Sequence, residues 1–454
     1  MLYRQSLRKT FHMAWPIALA RLIYTLSTFY AMVLLAHFGH EALAAGALIF
    51  AVQIAVSVGF FSSLFIVGPM VGRQLAEKKP FEAGSVWQQG IFLSVLISIP
   101  MILIFCFSKP ILILCGQSPQ LASIVQTFLR GFAICTTPRM MQVALQQGLV
   151  GVRRQHLVLK SSVLNMLVLL PLAYGLGFGK LGLPDWGVFG LGFALGFTGL
   201  VGFVFLVWVI VRDPFFKAFA LFKLRLFSSW HYFKSIIKIG FPTTMQMSGE
   251  LFFMLVMMLA TGWLGVTALA ASQVTAQWAF LLIVPMFGLC QAAGVLVSHA
   301  VGERDFDEVR RINQAAVTLM GIIGALVLIL FLVAPRWLSS FYVHGHTAAA
   351  EQIIQLAVIL FAIRGVSFLF DGFRNILISS LRGFYDTAFP MWVSYVFMWL
   401  IGLPLGCILA FWVHMGVIGI ALGYFVAVTG GAFTMLWRWR VKLVTIRSNL
   451  GSAG

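Results

Sequence analysis

The chain has 454 residues, of which 61% are hydrophobic and only 10% carry a charged side chain. A soluble domain contains roughly 25% charged residues, so this composition excludes a soluble protein. The formal net charge is +18. Its Lys and Arg residues lie in short loops at alternate ends of apolar segments and not along one face, which excludes a nucleic-acid-binding protein.

Apolar runs that can cross a hydrocarbon layer about 30 Å thick recur along the whole chain. The first run follows residues 1–12 without a small-residue cleavage site, so we expect it to remain as an anchor. The runs are too long and too uniformly apolar for barrel strands, and they are therefore predicted to be helices. Twelve spans are predicted, near 13–37, 44–70, 88–108, 122–150, 156–178, 186–211, 234–262, 266–299, 313–334, 349–381, 388–410 and 416–437.

The termini and the loops on one side of these spans hold 23 of the 31 Lys and Arg residues, whereas the loops on the other side hold only Lys109, Lys180 and Arg336. The positive-inside rule then predicts that both termini are cytoplasmic. We expect a multi-pass protein of the inner (plasma) membrane, a monomer surrounded by lipid. Its five Cys residues are dispersed without a CxxC pair, and we interpret them as small buried hydrophobic residues.

The two halves of the chain repeat each other. Both halves contain an even number of spans and so start on the same side, which predicts a parallel repeat about an axis along the membrane normal. The pairs that carry the repeat are Pro16 with Pro242, 42–45 with 268–271, Val71-Gly72 with Val301-Gly302, Gly151 with Gly383, and Pro171-Leu172 with Pro404-Leu405. The predicted organisation is an N-terminal six-helix lobe (1–211), a cytoplasmic amphipathic linker (212–233), a C-terminal six-helix lobe (234–437) and a cytoplasmic tail (438–454).

Eleven of the thirteen acidic residues lie in loops or at the ends of predicted spans, and two lie well inside them, Glu250 in the seventh and Asp371 in the tenth. A charged carboxylate at the centre of a membrane helix costs roughly 2.5–3.5 kcal/mol, so such a residue predicts a function. We predict that Glu250 and Asp371 take up the coupling cation, H⁺ or Na⁺, and that they are the ligands if the ion is Na⁺. Arg374 lies three residues after Asp371 and could pair with it, which leaves a gating ion pair as the alternative role.

Further polar residues lie inside the spans. The repeat relates Glu250 to Tyr24 and Asp371 to Arg139, so the first half has no intramembrane acid and is predicted to shape the substrate cavity. The residues predicted to support ion coupling are Gln273, Gln277, Ser367, Arg374 and Asn375. The residues predicted to line the cavity are Tyr24, Arg139, Gln142, Gln146 and Gln246. The neutral amides among them form interhelical hydrogen bonds as often as they contact ligands.

The sequence lacks the motifs GxSxG, GxxxxGK[ST] and HExxH, so neither an enzyme nor an ATP-driven pump is indicated and no cofactor is expected. Together the motifs of the spans and loops resemble the multidrug and toxic compound extrusion (MATE) family, specifically its NorM-like branch. Those motifs are Pro16, LAHFGHEALAAGAL, VGRQLAEKKPFEAG, GFPTTMQMSGE, LGVTALAASQVTAQ, VSHAVGERDFDEVRR and DGFRNILISSLRGFYDT.

The resemblance implies export driven by inward H⁺ or Na⁺, with alternating access between two six-helix lobes. It matches Glu250 and Asp371 to the acids of the family's second lobe, and Gln273 and Gln277 to polar positions on its eighth span. Ala31 stands where the family commonly has an Asp. Ser367 stands where it often has an aromatic hydroxyl, and Arg374 is unexpected beside Asp371.

We therefore predict a secondary active antiporter that exports small amphipathic, often cationic, organic compounds such as drugs. One alternative is an exporter of an organic anion or chelator on the same fold, which Arg21, Arg130 and Arg139 favour. Another is a lipid-linked sugar flippase, in which replacement of Glu250 by Gln would leave export intact.

Overall fold

The computed structural model describes residues 2–221, 230–343 and 348–451, and these ranges contain helices and no strand. Short 3₁₀ helices cover Ser62–Ile66 and Pro214–Phe219, and π-helical turns cover Val396–Gly402 and Ile408–Trp412. The α-helices, in chain order, are α1 (Leu2–Ala36), α2 (His40–Phe61), α3 (Val67–Ala76), α4 (Pro80–Cys106), α5 (Ser108–Leu114), α6 (Pro119–Ala133), α7 (Thr136–Gly151), α8 (Gln155–Phe178), α9 (Gly187–Arg212), α10 (Trp230–Trp263), α11 (Val266–Gly302), α12 (Phe306–Val333), α13 (Pro335–Ser340), α14 (Ala348–Gly383), α15 (Ala388–Tyr395), α16 (Leu403–Cys407) and α17 (Val417–Gly451).

Eleven helical stretches of the described chain are long and apolar enough to cross a membrane. The predicted span at 122–150 consists instead of two shorter helices, α6 and α7, of 15 and 16 residues. Pro138 lies in the first turn of α7. Proline lacks an N–H and its ring clashes with the carbonyl four residues earlier, here that of Ile134, so the helix breaks at this point. The predicted all-α membrane fold is confirmed, with this predicted span divided between two helices.

The chain divides into two compact units, Leu19–Thr244 (the N-unit) and Met1–Ala18 with Met245–Gly454 (the C-unit). Helices α1 and α10 each contribute residues to both units, and each contains a proline, Pro16 and Pro242. The predicted lobe boundaries on either side of the linker stay a prediction.

The predicted linker is only partly described, because residues 222–229 lie outside the described ranges. Its first part packs on α4: the Gln88 Nε2 donates to the carbonyl oxygens of Ala220 and Leu221 at 3.2 and 2.6 Å. After the gap the chain enters α10, where the Tyr232 hydroxyl donates to Glu82 Oε2 at 2.7 Å. The described flanks of the linker are therefore held against the N-unit.

Backbone conformation reveals the internal repeat independently of residue identity. Residues with positive φ recur in matched pairs at nearly equal angles, and these turns fix the register between the halves. The pairs are Gly39 with Gly265 (109° and 108°), Lys78 with Arg304 (61° and 59°), Arg153 with Tyr385 (60° and 63°) and Leu181 with His414 (61° and 58°). The first two pairs are 226 residues apart, and the others 232 and 233.

These separations confirm the sequence matches at Pro16, 42–45, Gly151 and Pro171 and correct one other. The match of Val71-Gly72 with Val301-Gly302 is out of register, because Lys78 and Arg304 fix a separation of 226 residues in that region. A valine followed by a glycine before a charged loop is too short a pattern to determine register by itself.

In the N-unit, helices α6 and α9 approach closely because α9 presents glycine to α6. A Cβ on Gly192 would lie 2.0 Å from the carbonyl oxygen of Phe128. Small residues at such interfaces let backbones come together and drive the packing of membrane helices.

We therefore expect Gly192→Ala to destabilise the N-unit by about 1–3 kcal/mol, the usual cost of overpacking. Thermal unfolding in detergent, followed by tryptophan fluorescence, measures the effect. Gly262→Ala in α10 is the matched control, since a Cβ there meets nothing within 4 Å and alanine favours a helix over glycine. Equal melting temperatures for the two variants would contradict the packing described.

Candidate functional site

Glu250 is held by hydrogen-bond donors from three helices. It lies on α10 with a side chain that is 18% exposed. Its Oε1 accepts from Gln246 Nε2 at 3.0 Å, from Arg374 Nη1 at 2.9 Å and from the Ser394 hydroxyl at 3.0 Å. Its Oε2 accepts from Arg374 Nη2 at 3.1 Å. This arrangement suits the ionised carboxylate, because every contact is a donated proton.

Asp371 shares the same guanidinium. Its Oδ1 accepts from Arg374 Nε at 3.0 Å and lies 2.9 Å from Arg374 Nη2. The Arg374 side chain is only 3% exposed, so one buried guanidinium bridges two carboxylates on α10 and α14. We call Glu250, Asp371 and Arg374 the charge triad; its formal net charge is −1 when both acids are ionised.

Side chains from α15 and from the π-helical turn that follows it also surround the charge triad. Ser394 contacts both Glu250 and Arg374, accepting from Arg374 Nη1 at 3.1 Å. Tyr395 and Trp399 hold the backbone of α10, donating to the carbonyl oxygens of Met245 and Gly249 at 3.1 and 3.3 Å. π-Helical turns inside helices occur frequently at functional sites.

A second arginine, Arg382, is connected to Glu250 through Gln246. Arg382 Nη2 contacts Gln246 Oε1 at 3.5 Å, and the same amide donates to Glu250. Gln246, predicted for the substrate cavity, therefore lies in the C-unit and contacts the predicted coupling acid. Gln246, Glu250, Ser394 and Trp399 line one small cleft.

Of the other predicted supporting residues, Asn375 contacts a member of the triad, Asp371. Ser367 donates within its own helix to Ile363 O at 2.7 Å, and Asn375 Nδ2 donates to the backbone oxygen of Asp371 at 2.9 Å. Gln273 Nε2 contacts Met258 Sδ at 3.3 Å, and Gln277 is exposed. Of the supporting set, only Arg374 contacts both acids.

Four of the predicted cavity residues lie in the N-unit. The Arg139 guanidinium carbon is 5.0 Å from the centre of the Tyr24 ring, and its Nη1 donates to Leu195 O at 3.1 Å. Gln142 is 4% exposed, and Gln146 Nε2 donates to Ser161 Oγ at 3.2 Å. The structure thus brings Tyr24 and Arg139 together.

Three contributors to the site were missed from the sequence. Arg382 was assigned to a cytoplasmic loop, although it lies on α14, eight residues or about two helical turns after Arg374. Ser394 and Tyr395 are the only hydroxyl residues in the predicted span 388–410, which is a signal that could have identified them.

The family model described as MatE matches residues 16–175 and 242–408. The chain belongs to the MatE family. The probable multidrug resistance protein NorM of Mesorhizobium japonicum is 27% identical over 450 residues, covering 96% of this chain and 94% of that protein. The multidrug resistance protein NorM of Burkholderia vietnamiensis is 29% identical over 443 residues, covering 95% and 93%. The crystal structure of the eukaryotic MATE transporter AtDTX14 has a TM-score of 0.85 at 18% identity, covering 99% of this chain and 100% of that one.

Membership in the MatE family confirms the predicted resemblance and its NorM-like character. The two matched segments fall in the two repeated halves of the chain. The protein is a multi-pass membrane transporter of small molecules and not an enzyme, as the sequence predicted.

Because both acids share the Arg374 guanidinium, we expect its replacement to lower the thermal stability of the protein. Arg374→Gln leaves two buried carboxylates without a counter-charge, and breaking a buried pair from one side costs about 3–5 kcal/mol. The double variant Glu250→Gln/Arg374→Gln should lose less than the sum of the two single changes, because it removes both charges. Thermal unfolding of all three variants measures the coupling.

Arg130→Gln is the control for this cycle, since Arg130 is exposed and contacts the backbone oxygen of Cys106 at 3.3 Å. We expect this variant to unfold near the wild-type temperature. Strictly additive losses in the double variant would mean that Glu250 and Arg374 do not interact.

Proposed function

We propose that this protein is a secondary active exporter that couples efflux of small amphipathic organic compounds, drugs included, to the inward movement of protons. The names of its NorM relatives support the substrate class. The observation that carries the proposal is the charge triad, in which one guanidinium is shared by two membrane-buried carboxylates. We further propose that the protein resides in the inner (plasma) membrane with both termini cytoplasmic, as the distribution of basic residues predicts.

The triad is an element with two states. With both acids ionised, Arg374 ties α10 to α14, and Ser394 adds α15 to the same point. A proton on Glu250 removes its charge and turns an acceptor into a donor, so its bonds to the guanidinium, the amide and the hydroxyl weaken together. Arg374 then keeps Asp371 alone, and α10 is released from α14 at this point.

Proton uptake therefore alters the contacts of a helix that both units share, since α10 contributes to each of them. Pro242 lies in the same helix, and sharp bends in helices occur at proline. We propose that the change at Glu250 acts on α10 and in this way links the triad to alternating access. By linkage, a substrate that prefers one state changes proton affinity by the same factor.

The surroundings of the carboxylates favour H⁺ over Na⁺. A metal ion needs oxygen atoms that accept, whereas Glu250 Oε1 is already occupied by three donors. Within the described ranges, no group of three or more His, Cys, Asp or Glu is placed to hold a metal ion. A proton needs only to displace the guanidinium from one oxygen.

The membrane potential supplies enough free energy to export a substrate against a concentration gradient. One charge crossing a membrane at ~150 mV provides roughly 3.5 kcal/mol, at about 2.3 kcal/mol per 100 mV. Because 1.4 kcal/mol corresponds to tenfold in concentration, one proton per cycle supports a gradient of a few hundredfold.

Substrate-dependent proton flux in proteoliposomes tests the proposal. We expect Glu250→Gln to lower substrate-driven proton release at least tenfold, since the amide cannot exchange a proton. The matched control is Glu351→Gln, an exposed acid on α14 that lies 3.6 Å from Arg336 and should keep the wild-type rate.

Replacing Na⁺ by a large organic cation on both sides should leave the wild-type rate unchanged. Full coupling in the Glu250→Gln variant would refute the role of the triad. Flux that requires Na⁺ and ignores a pH gradient would refute the proton as the coupling ion.

A further inference from the structure

A cluster of hydrogen-bond donors lies in the N-unit with no acid beside it. It consists of Tyr24 on α1 with Arg139 and Gln142, one turn apart on α7; we call it the N-unit donor cluster. Arg139 is 9% exposed and Tyr24 is 37% exposed, so the phenol is accessible while the guanidinium is almost enclosed.

The internal repeat relates the residues of this cluster to residues of the C-unit. The turns at Gly39 and Gly265 fix the register of α1 against α10, and those at Arg153 and Tyr385 fix α7 against α14. In that register Tyr24 corresponds to Glu250, Arg139 to Asp371, and Gln142 to Arg374. The N-unit donor cluster is thus the repeat-related counterpart of the charge triad, with its two acids replaced by a phenol and a guanidinium.

The replacement inverts the polarity of the position. Arg139 contacts the carbonyl oxygen of Leu195, the Tyr24 hydroxyl and the faces of the Tyr24 and Phe132 rings. None of the described acids contacts it, and those of the N-unit lie in loops or near helix ends: Glu41, Glu77, Glu82, Asp185 and Asp213. Gln142 Nε2 is buried and finds no acceptor among the described residues.

Helix α9 is shaped to admit these side chains. A Cβ on Gly199 would lie 2.6 Å from the Arg139 Cβ, and a Cβ on Gly202 would lie 2.0 Å from the Gln142 Nε2. Leu195 O accepts from Nη1 of Arg139, and Nε and Nη2 form the other edge of the guanidinium, a fork beside the Tyr24 hydroxyl. That fork matches the two oxygens of a carboxylate, and guanidinium groups bind carboxylates in this bidentate way.

We infer that the N-unit donor cluster is a binding subsite for a carboxylate carried on an aromatic organic substrate. Arg139 supplies the fork, the Tyr24 hydroxyl donates to the same group, and the Tyr24 and Phe132 rings flank the guanidinium. The substrates include acids and zwitterions, whose remaining body can be apolar or cationic. The inference rests on the proposed export function only in taking the bound compound to be the exported one.

Equilibrium binding in detergent tests the subsite without any requirement for ion coupling. The probes are a fluorescent aromatic dye that carries one carboxylate and the methyl ester of the same dye. We expect Arg139→Gln to raise the Kd of the acid at least tenfold and to change that of the ester less than twofold. Tyr24→Phe should weaken the acid selectively by a smaller factor, because the ring is kept and one donor is lost.

Arg212→Gln is the matched control, an exposed arginine at the end of α9 in the same unit, which lies over the Trp208 ring and should leave both Kd values unchanged. Thermal unfolding of Arg139→Gln separates lost recognition from lost folding, and Arg139→Lys, which keeps the charge but not the fork, should recover part of the affinity. Equal weakening of acid and ester, or wild-type protein that binds the ester and not the acid, would overturn the inference. Because this assay involves no proton flux, its outcome is independent of whether proton coupling holds.

Discussion

One buried guanidinium organises the C-unit of this transporter. Arg374 donates through Nε, Nη1 and Nη2, and these protons reach Glu250 on α10 and Asp371 on its own helix α14. A lone carboxylate inside a membrane protein is costly, and two are tolerated here because they share a counter-charge. The shared counter-charge also makes the charge triad sensitive to protonation, since altering the charge of one acid changes the bonds of all three groups. Ser394 connects α15 to Glu250, and Tyr395 and Trp399 connect α15 and the π-helical turn to the backbone of α10.

The internal duplication explains why the two units differ in chemistry while repeating in form. Turn angles recur within a few degrees at Gly39 and Gly265 and at Lys78 and Arg304, so the backbone framework is shared. The side chains at the equivalent positions have diverged to opposite polarity, acids around Arg374 in one half and donors around Arg139 in the other. A duplicated carrier can in this way assign proton chemistry to one copy and substrate recognition to the other.

The fold could be predicted almost entirely from the sequence, because lipid forces long apolar helices and the positions of Gly and Pro mark the repeat. The break between α6 and α7 was missed, since hydropathy does not register the loss of one N–H at Pro138. The two acids of the site were found because charges inside apolar spans are rare. Only part of their contact with Arg374 could be predicted from the sequence. The pairing with Asp371 follows from a spacing of three residues, but the contact with Glu250 joins residues 124 apart. Ser394 and Arg382 were identifiable as polar residues in or beside apolar spans, but their contacts at the site depend on helix packing, which a local pattern does not give.

The central claim is that a proton competes with Arg374 for Glu250. Infrared difference spectroscopy of the purified protein measures it directly, because a protonated carboxyl group has a carbonyl-stretch band that the ionised form lacks. The account predicts a band that appears on acidification and disappears when substrate binds. It predicts that the band is missing from Glu250→Gln and present in Glu351→Gln. A spectrum without such a band across the pH range in which transport occurs, or a band that survives in Glu250→Gln, would contradict the account.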